Sequence, residues 1–193
     1  MPITHLDPAA ALIIVDLQHA VARLPWLTSL QSITDHANRL SMAFRSLRLP
    51  VVNVAADRVQ VGRNDHGRTA RVMGPAGIAP LDGLLLERQD HLIVKHHWGA
   101  FTDSGLELFL RERGVTQLVI VGVATSLGIE STARHASELG FNIAIATDGV
   151  TDLNQQSHDH SLQAILPRIS ETGSTTEIWR ALTRGGMTRE QPA

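Results

Sequence analysis

Short, nearly unbroken apolar runs alternate with amphipathic stretches along this chain, a pattern that admits few folds besides a parallel sheet wrapped by crossover helices. Ala11 to Val15 is the first such run, and it ends abruptly at Asp16. Ile33, Ala37, Leu40, Phe44 and Leu47 recur at helical spacing and predict a helix from about Leu30 to Leu47, after which Pro50 opens a strand at Val51 to Ala55. Leu92 to Val94 predicts a third strand ending at Lys95, and Leu118 to Val121 a fourth. Asn142 to Ala146 and Ile169 to Thr172 supply a fifth and a short sixth. Helices are predicted from the capping-box sequence Ser104-Gly105-Leu106-Glu107 to Gly114, from Gly128 to Leu139, around Gln155 to Leu166, and from Thr175 to Leu182. Arg184 to Ala193 reads as a frayed tail, and residues 1–193 as a single domain.

One stretch breaks the rhythm. Asp57 to Pro80 is rich in Gly and Pro and carries Arg58, Arg63, Arg68 and Arg71, too long and too polar for a routine connection. It reads as a functional loop or lid.

Composition removes several classes of function. With 193 residues, 43% of them hydrophobic, and a net charge of −2, the chain suits one globular core and offers no basic surface for nucleic acid or an anionic membrane. No apolar run approaches the ~20 residues of a membrane span, and the first residues lack the basic and apolar regions of a signal peptide, so a cytoplasmic protein is expected. The chain has no Cys, which excludes disulfides, thiolate metal ligands and a thiolate nucleophile. Its ten His residues include His96-His97 and the pair His158 and His160. Adjacent His residues on an extended segment face opposite ways, and residues two apart on a helix do not share a face, so no metal site is expected. No cofactor is expected either.

In an open parallel sheet, ligands bind beyond the carboxyl ends of the strands, where strand order reverses. Asp16, Lys95 and the turn from Ala124 to Gly128 each follow a strand end, and the helix that starts there brings a positive dipole end suited to an anion or a developing oxyanion. Each has a plainer role when taken alone. An Asp after a strand accepts hydrogen bonds from nearby backbone, a Lys at a strand end reaches solvent, and a Gly allows close helix–strand contact. Thr125 and Ser126 have helix capping as their ordinary role.

Taken together, Ile13-Ile14-Val15-Asp16-Leu17-Gln18, Val94-Lys95-His96-His97-Trp98-Gly99-Ala100-Phe101, the segment from Gly122 to Ala133 and that from Thr147 to Asp152 resemble the isochorismatase-like, or cysteine hydrolase, family over about residues 10 to 175. The resemblance implies a three-layer α/β/α, Rossmann-like domain with a mainly parallel six-stranded sheet in the order 3-2-1-4-5-6. It implies catalysis by Asp16 and Lys95 with the nucleophile position held by Gly128, where most members carry Cys. It also implies an oxyanion-binding turn at Val123, Ala124 and Thr125 with a cis peptide between Val123 and Ala124. Trp98 and Phe101 are candidates for an apolar pocket wall, and Arg63, among the loop arginines, for contact with a substrate carboxylate. Asp57-Arg58-Val59 departs from the Asp-x-His metal motif of the nicotinamidase branch.

True isochorismatases resemble this pattern with a small residue in place of Cys, and they cleave a vinyl ether by protonation rather than by nucleophilic attack. Two classes therefore stand: a cysteine-independent hydrolase acting on a small molecule, with water-attack amide hydrolysis as its variant, and a ligand-binding protein on an enzyme fold. A homodimer or homotetramer is expected from the apolar faces of the last helices and the arginine-bearing loop.

Overall fold

The structure, a computed structural model, describes residues 3, 5–59, 63, 65 and 71–187. Six strands, β1 (Ala10–Val15), β2 (Val51–Ala56), β3 (His91–Lys95), β4 (Gln117–Val123), β5 (Asn142–Thr151) and β6 (Glu171–Gly173), form one sheet in the order β3-β2-β1-β4-β5-β6. All neighbours in it are parallel. Strand order reverses at β1, so the carboxyl ends of β1 and β4 flank the switch point predicted to hold the site.

The strands alternate their side chains between two helical layers. Ala11, Ile13 and Val15 face α2 (Leu106–Glu112) and α3 (Glu130–Glu138), packing with Leu106, Leu110, Ile129 and Ala133. Leu12 and Ile14 face the opposite layer, α1 (Leu30–Ser46) and α5 (Thr175–Met187), where Ile33, Ala37, Leu40, Phe44, Ile178 and Leu182 are buried. Ser29 caps α1 by accepting from the Ser32 amide at 3.3 Å. Its far end is closed by Arg48 at φ 57°, with the Leu49 amide donating to the Phe44 carbonyl at 2.9 Å, the reversal that turns the chain into β2.

Several elements differ from their sequence expectation. The loop after β2 contains a small antiparallel ladder of Arg58–Val59 with Arg71–Val72 and one helical turn at Pro75–Ile78. Arg68 lies outside the described residues. Ser104 does cap the next helix, its hydroxyl oxygen accepting from the Leu106 amide at 3.2 Å while its proton goes to the Ala100 carbonyl, but α2 begins only after Gly105, which turns at φ 75°. The segment before α3 is a wide π turn over Thr125–Ile129, so the helical path starts three residues earlier than Gly128. β5 runs on to Thr151, past a register shift opposite Ile120 and Gly122. α4 (Gln155–His160) continues through a π turn to Leu166–Arg168. The last helix continues to Met187, so the start of the expected tail is helical, because Ile178 and Leu182 seat it on α1. No described helix is long and apolar enough to cross a membrane.

Candidate active site

Asp16 leaves β1 in a left-handed conformation, φ 56°, which carboxyl side chains tolerate better than most. This turn aims its carboxyl across the sheet end rather than along the strand. Lys95, last residue of β3, reaches it from two strands away: Nζ donates to Asp16 Oδ2 at 2.8 Å and to the Trp98 carbonyl at 2.6 Å. The lysine side chain is 2% exposed and the aspartate side chain 15%. Lys95 is also the only lysine in the chain.

Burial pushes the Asp16 carboxyl above its ordinary value, against the attraction and hydrogen bond of Lys95, which pull it down. Desolvation prevails because the carboxyl lies among the strand ends and the first turn of the next helix. Its Oδ1 is buried and has no hydrogen-bond partner among the described residues. One oxygen is thus held by the ammonium while the other is enclosed by the protein, where the Ala56 backbone amide adds a weaker pull toward the charged form.

Gly128 closes the third side. A Cβ built there would lie 2.9 Å from the Val123 carbonyl oxygen, 3.2 Å from Asp16 Oδ2 and 3.3 Å from Val15 Cγ1. The missing side chain therefore does not leave an open hole. The Asp16 carboxyl itself occupies the space a side chain would need, resting against the helical turn. The Val123–Ala124 peptide is cis.

Residues 10–177 match the model of the isochorismatase domain. The chain belongs to the isochorismatase family. This family hydrolase is 35% identical over 187 residues to the isochorismatase family protein YecD of Escherichia coli O157:H7, spanning 89% of this chain and 95% of that one. An isochorismatase family protein of Burkholderia thailandensis superposes with a TM-score of 0.88 at 30% identity, covering 93% of this chain and 98% of the other. N-carbamoylsarcosine amidase of Thermoplasma acidophilum superposes with a TM-score of 0.70 at 20% identity, over 86% and 96% of the two chains, a likeness of fold.

In this isochorismatase-family hydrolase, Asp16, Lys95 and Gly128 meet as their strand-end positions implied. Val123, Ala124 and Thr125 form the turn beside them, all buried. Trp98 contributes through its carbonyl, while its side chain stays half-exposed. Phe101 does not line a pocket: its ring is buried in the core, 5.9 Å from that of Phe141 and 5.4 Å from that of His135. The loop carries it past the strand end and under α3. Arg63 is exposed, and its neighbours 60–62 and 64 lie outside the described residues. His96 turns to Asp57 at 2.8 Å and His97 to Asp103 at 3.6 Å, so the two rings have separate carboxylate neighbours.

Four supporting residues escaped the sequence analysis. Thr132 accepts from the Ala100 amide and donates to the Gly128 carbonyl, tying the loop after Lys95 to the glycine turn. Asp152 takes both the amide and the hydroxyl of Ser126 on one oxygen, at 2.7 and 2.8 Å, and so braces the turn. His158 pairs with the Thr125 hydroxyl at 2.8 Å, which replaces the capping role expected of it. Gln18 binds both backbone groups of Ala56 and reaches the Gly77 carbonyl, holding the ends of β1 and β2 and the Pro75–Ile78 turn together. Gln18 and Asp152 stood inside the recognised motifs, and Thr132 one helical turn after Gly128.

Proposed function

We propose that the protein hydrolyses a small vinyl ether of isochorismate type without a cysteine nucleophile, with Asp16 as proton donor. The Asp16 carboxyl carries this reading: burial raises it, Lys95 holds one oxygen at 2.8 Å, and the other is unpartnered. Asp16 delivers its proton to the terminal carbon of the enol ether, and the ether oxygen stabilises the resulting cation. Water adds to the cationic carbon and returns a proton to the Asp16 carboxylate. The hemiketal then breaks its carbon–oxygen bond, its hydroxyl proton passing to the departing alcohol, and pyruvate is released. Lys95 stabilises the carboxylate during the interval when the proton is gone, and the turn at Val123, Ala124 and Thr125 presents the amino end of a helix to the substrate carboxylate. Gly128 lets the acid lie against that turn.

The deciding experiment compares wild type with Asp16→Asn on isochorismate and on a panel of small amides, following pyruvate or ammonia release. Wild type is expected to release pyruvate, and Asp16→Asn to lose at least ~10²-fold in kcat with its circular dichroism unchanged. Equal rates remove Asp16 from the acid role. Turnover of amides alone replaces the substrate class with water attack on an amide. No turnover of any compound by wild type points to a ligand-binding protein instead.

A further inference from the structure

On the face of the sheet turned away from Lys95, the ends of β1, β2 and β3 leave a cavity of about 390 Å³. Strand register sets Ile14, Asn53 and Leu92 side by side across it. The Pro75–Ile78 turn and the chain from Ala79 to Leu86 form its cover. Its walls are apolar, with Ile78, Leu84, Leu86 and Val94 among them, and among the described residues no ionisable side chain lines it. Leu92 is 65% exposed, so one wall still faces water.

Asn53 is out of keeping with that lining. It is 8% exposed, and neither Oδ1 nor Nδ2 has a hydrogen-bond partner among the described residues. A buried amide with both ends unmet is costly to keep in a strand whose neighbours, Val52 and Val54, are apolar. The cavity's other polar side chain, Gln18, is already committed to Ala56 and Gly77. Asn53 therefore presents an unspent donor and acceptor, side by side, to an apolar space of ligand size.

We propose that this cavity binds a small, mainly apolar molecule bearing a neutral amide edge, its carbonyl accepting from Asn53 Nδ2 and its N–H donating to Asn53 Oδ1. A carboxylate offers acceptors only and would need a cation that the lining lacks. None of Asp16, Lys95 and Gly128 lines the cavity, and Gln18, which braces both places, is spent on backbone groups, so this is a binding site separate from the hydrolytic one and does not depend on that reading.

The test uses methyl-labelled protein and nuclear magnetic resonance, with benzamide, ethylbenzene and benzoate as probes. Benzamide is expected to shift the methyls of Leu84, Leu86, Leu92 and Val94 saturably, binding at least ~10-fold tighter than either other probe, as two hydrogen bonds imply. Asn53→Leu should erase that preference, and Asp16→Asn should leave it intact. Should Asn53→Leu not fold, Leu86→Trp fills the cavity from its wall and should abolish the benzamide shifts. Absence of saturable shifts, equal affinity for benzamide and ethylbenzene, or shifts that persist in Leu86→Trp would each overturn the site. So would the same methyl shifts on raising protein concentration without probe, which would show a second copy covering the groove.

Discussion

Arg45 and Asp90 at the amino end of the sheet, and Lys95 and Asp16 at the carboxyl end, are both ion pairs withdrawn from water, but their remaining atoms are treated differently. Asp90 receives Arg45 on both oxygens, Nε to Oδ1 at 3.0 Å and a second bond to Oδ2, and also accepts from the Glu87 amide. Arg45 in turn reaches the Leu85 carbonyl at 2.7 Å. At the other end, Lys95 meets only one oxygen of Asp16, and the second is left unpartnered. A pair with both oxygens bonded is fully satisfied within the fold, whereas the Asp16 pair leaves one oxygen without a side-chain partner. Burial alone does not separate a structural ion pair from a reactive one; the completeness of its hydrogen bonding does.

Breaking the closed pair should produce the largest change in stability. Asp90→Ala strands the Arg45 guanidinium, whose side chain is 7% exposed, and is expected to cost ~3–5 kcal/mol in urea unfolding while leaving kcat unaltered. A loss of kcat at full stability would erase the distinction between the two ends. Gly128→Ala comes next, at ~1–3 kcal/mol by thermal melting, because the new methyl meets the Val123 carbonyl and Asp16 Oδ2; kcat should fall with it. A variant as stable as wild type would mean that the carboxyl does not rest on the turn.

The smallest effects lie in pH dependence, where the signs are opposite. The raised Asp16 carboxyl holds a proton in the folded chain that the unfolded chain releases near 3.8. Its contribution to stability is therefore complete below that pH and is lost as pH rises through the folded value, and activity that needs the acid form falls in the same direction. Asp57 runs the other way. Arg58, and then His96, hold it down at about 2, so its contribution is present above 3.8 and disappears as pH falls toward about 2. Melting temperature against pH should lose the decline that sets in above 3.8 in Asp16→Asn and part of its decline below 3.8 in Asp57→Asn. Identical profiles for the two variants would show that neither shift shapes folding.

The sheet was legible because strands buried on both faces must be written in apolar residues, and Asp16 and Lys95, each with a plainer role alone, were legible only together, as charges ending two such runs within motifs that resemble the family. Gly128 was visible as a small residue, yet the reason for its size was not, since that depends on where the Asp16 carboxyl comes to rest. Phe101 sat among the recognised residues but packs in the core, because the loop after β3 continues beneath α3, a path that no local pattern records. Ser104 was visible as a cap, and its oxygen does accept from Leu106, but its second bond, to the Ala100 carbonyl, is fixed only by how that loop bends back. Asn53 was in plain sight within an apolar run, and its isolation emerged only once the neighbouring strands were in register.

The burial of Lys95 has a practical corollary. Since arginine supplies every other fixed positive side chain, an acylating reagent directed at primary amines meets only the terminal amine for as long as the strand ends stay closed. Label arriving at residue 95 thus marks each excursion in which the sheet end comes apart, and its rate measures that opening directly.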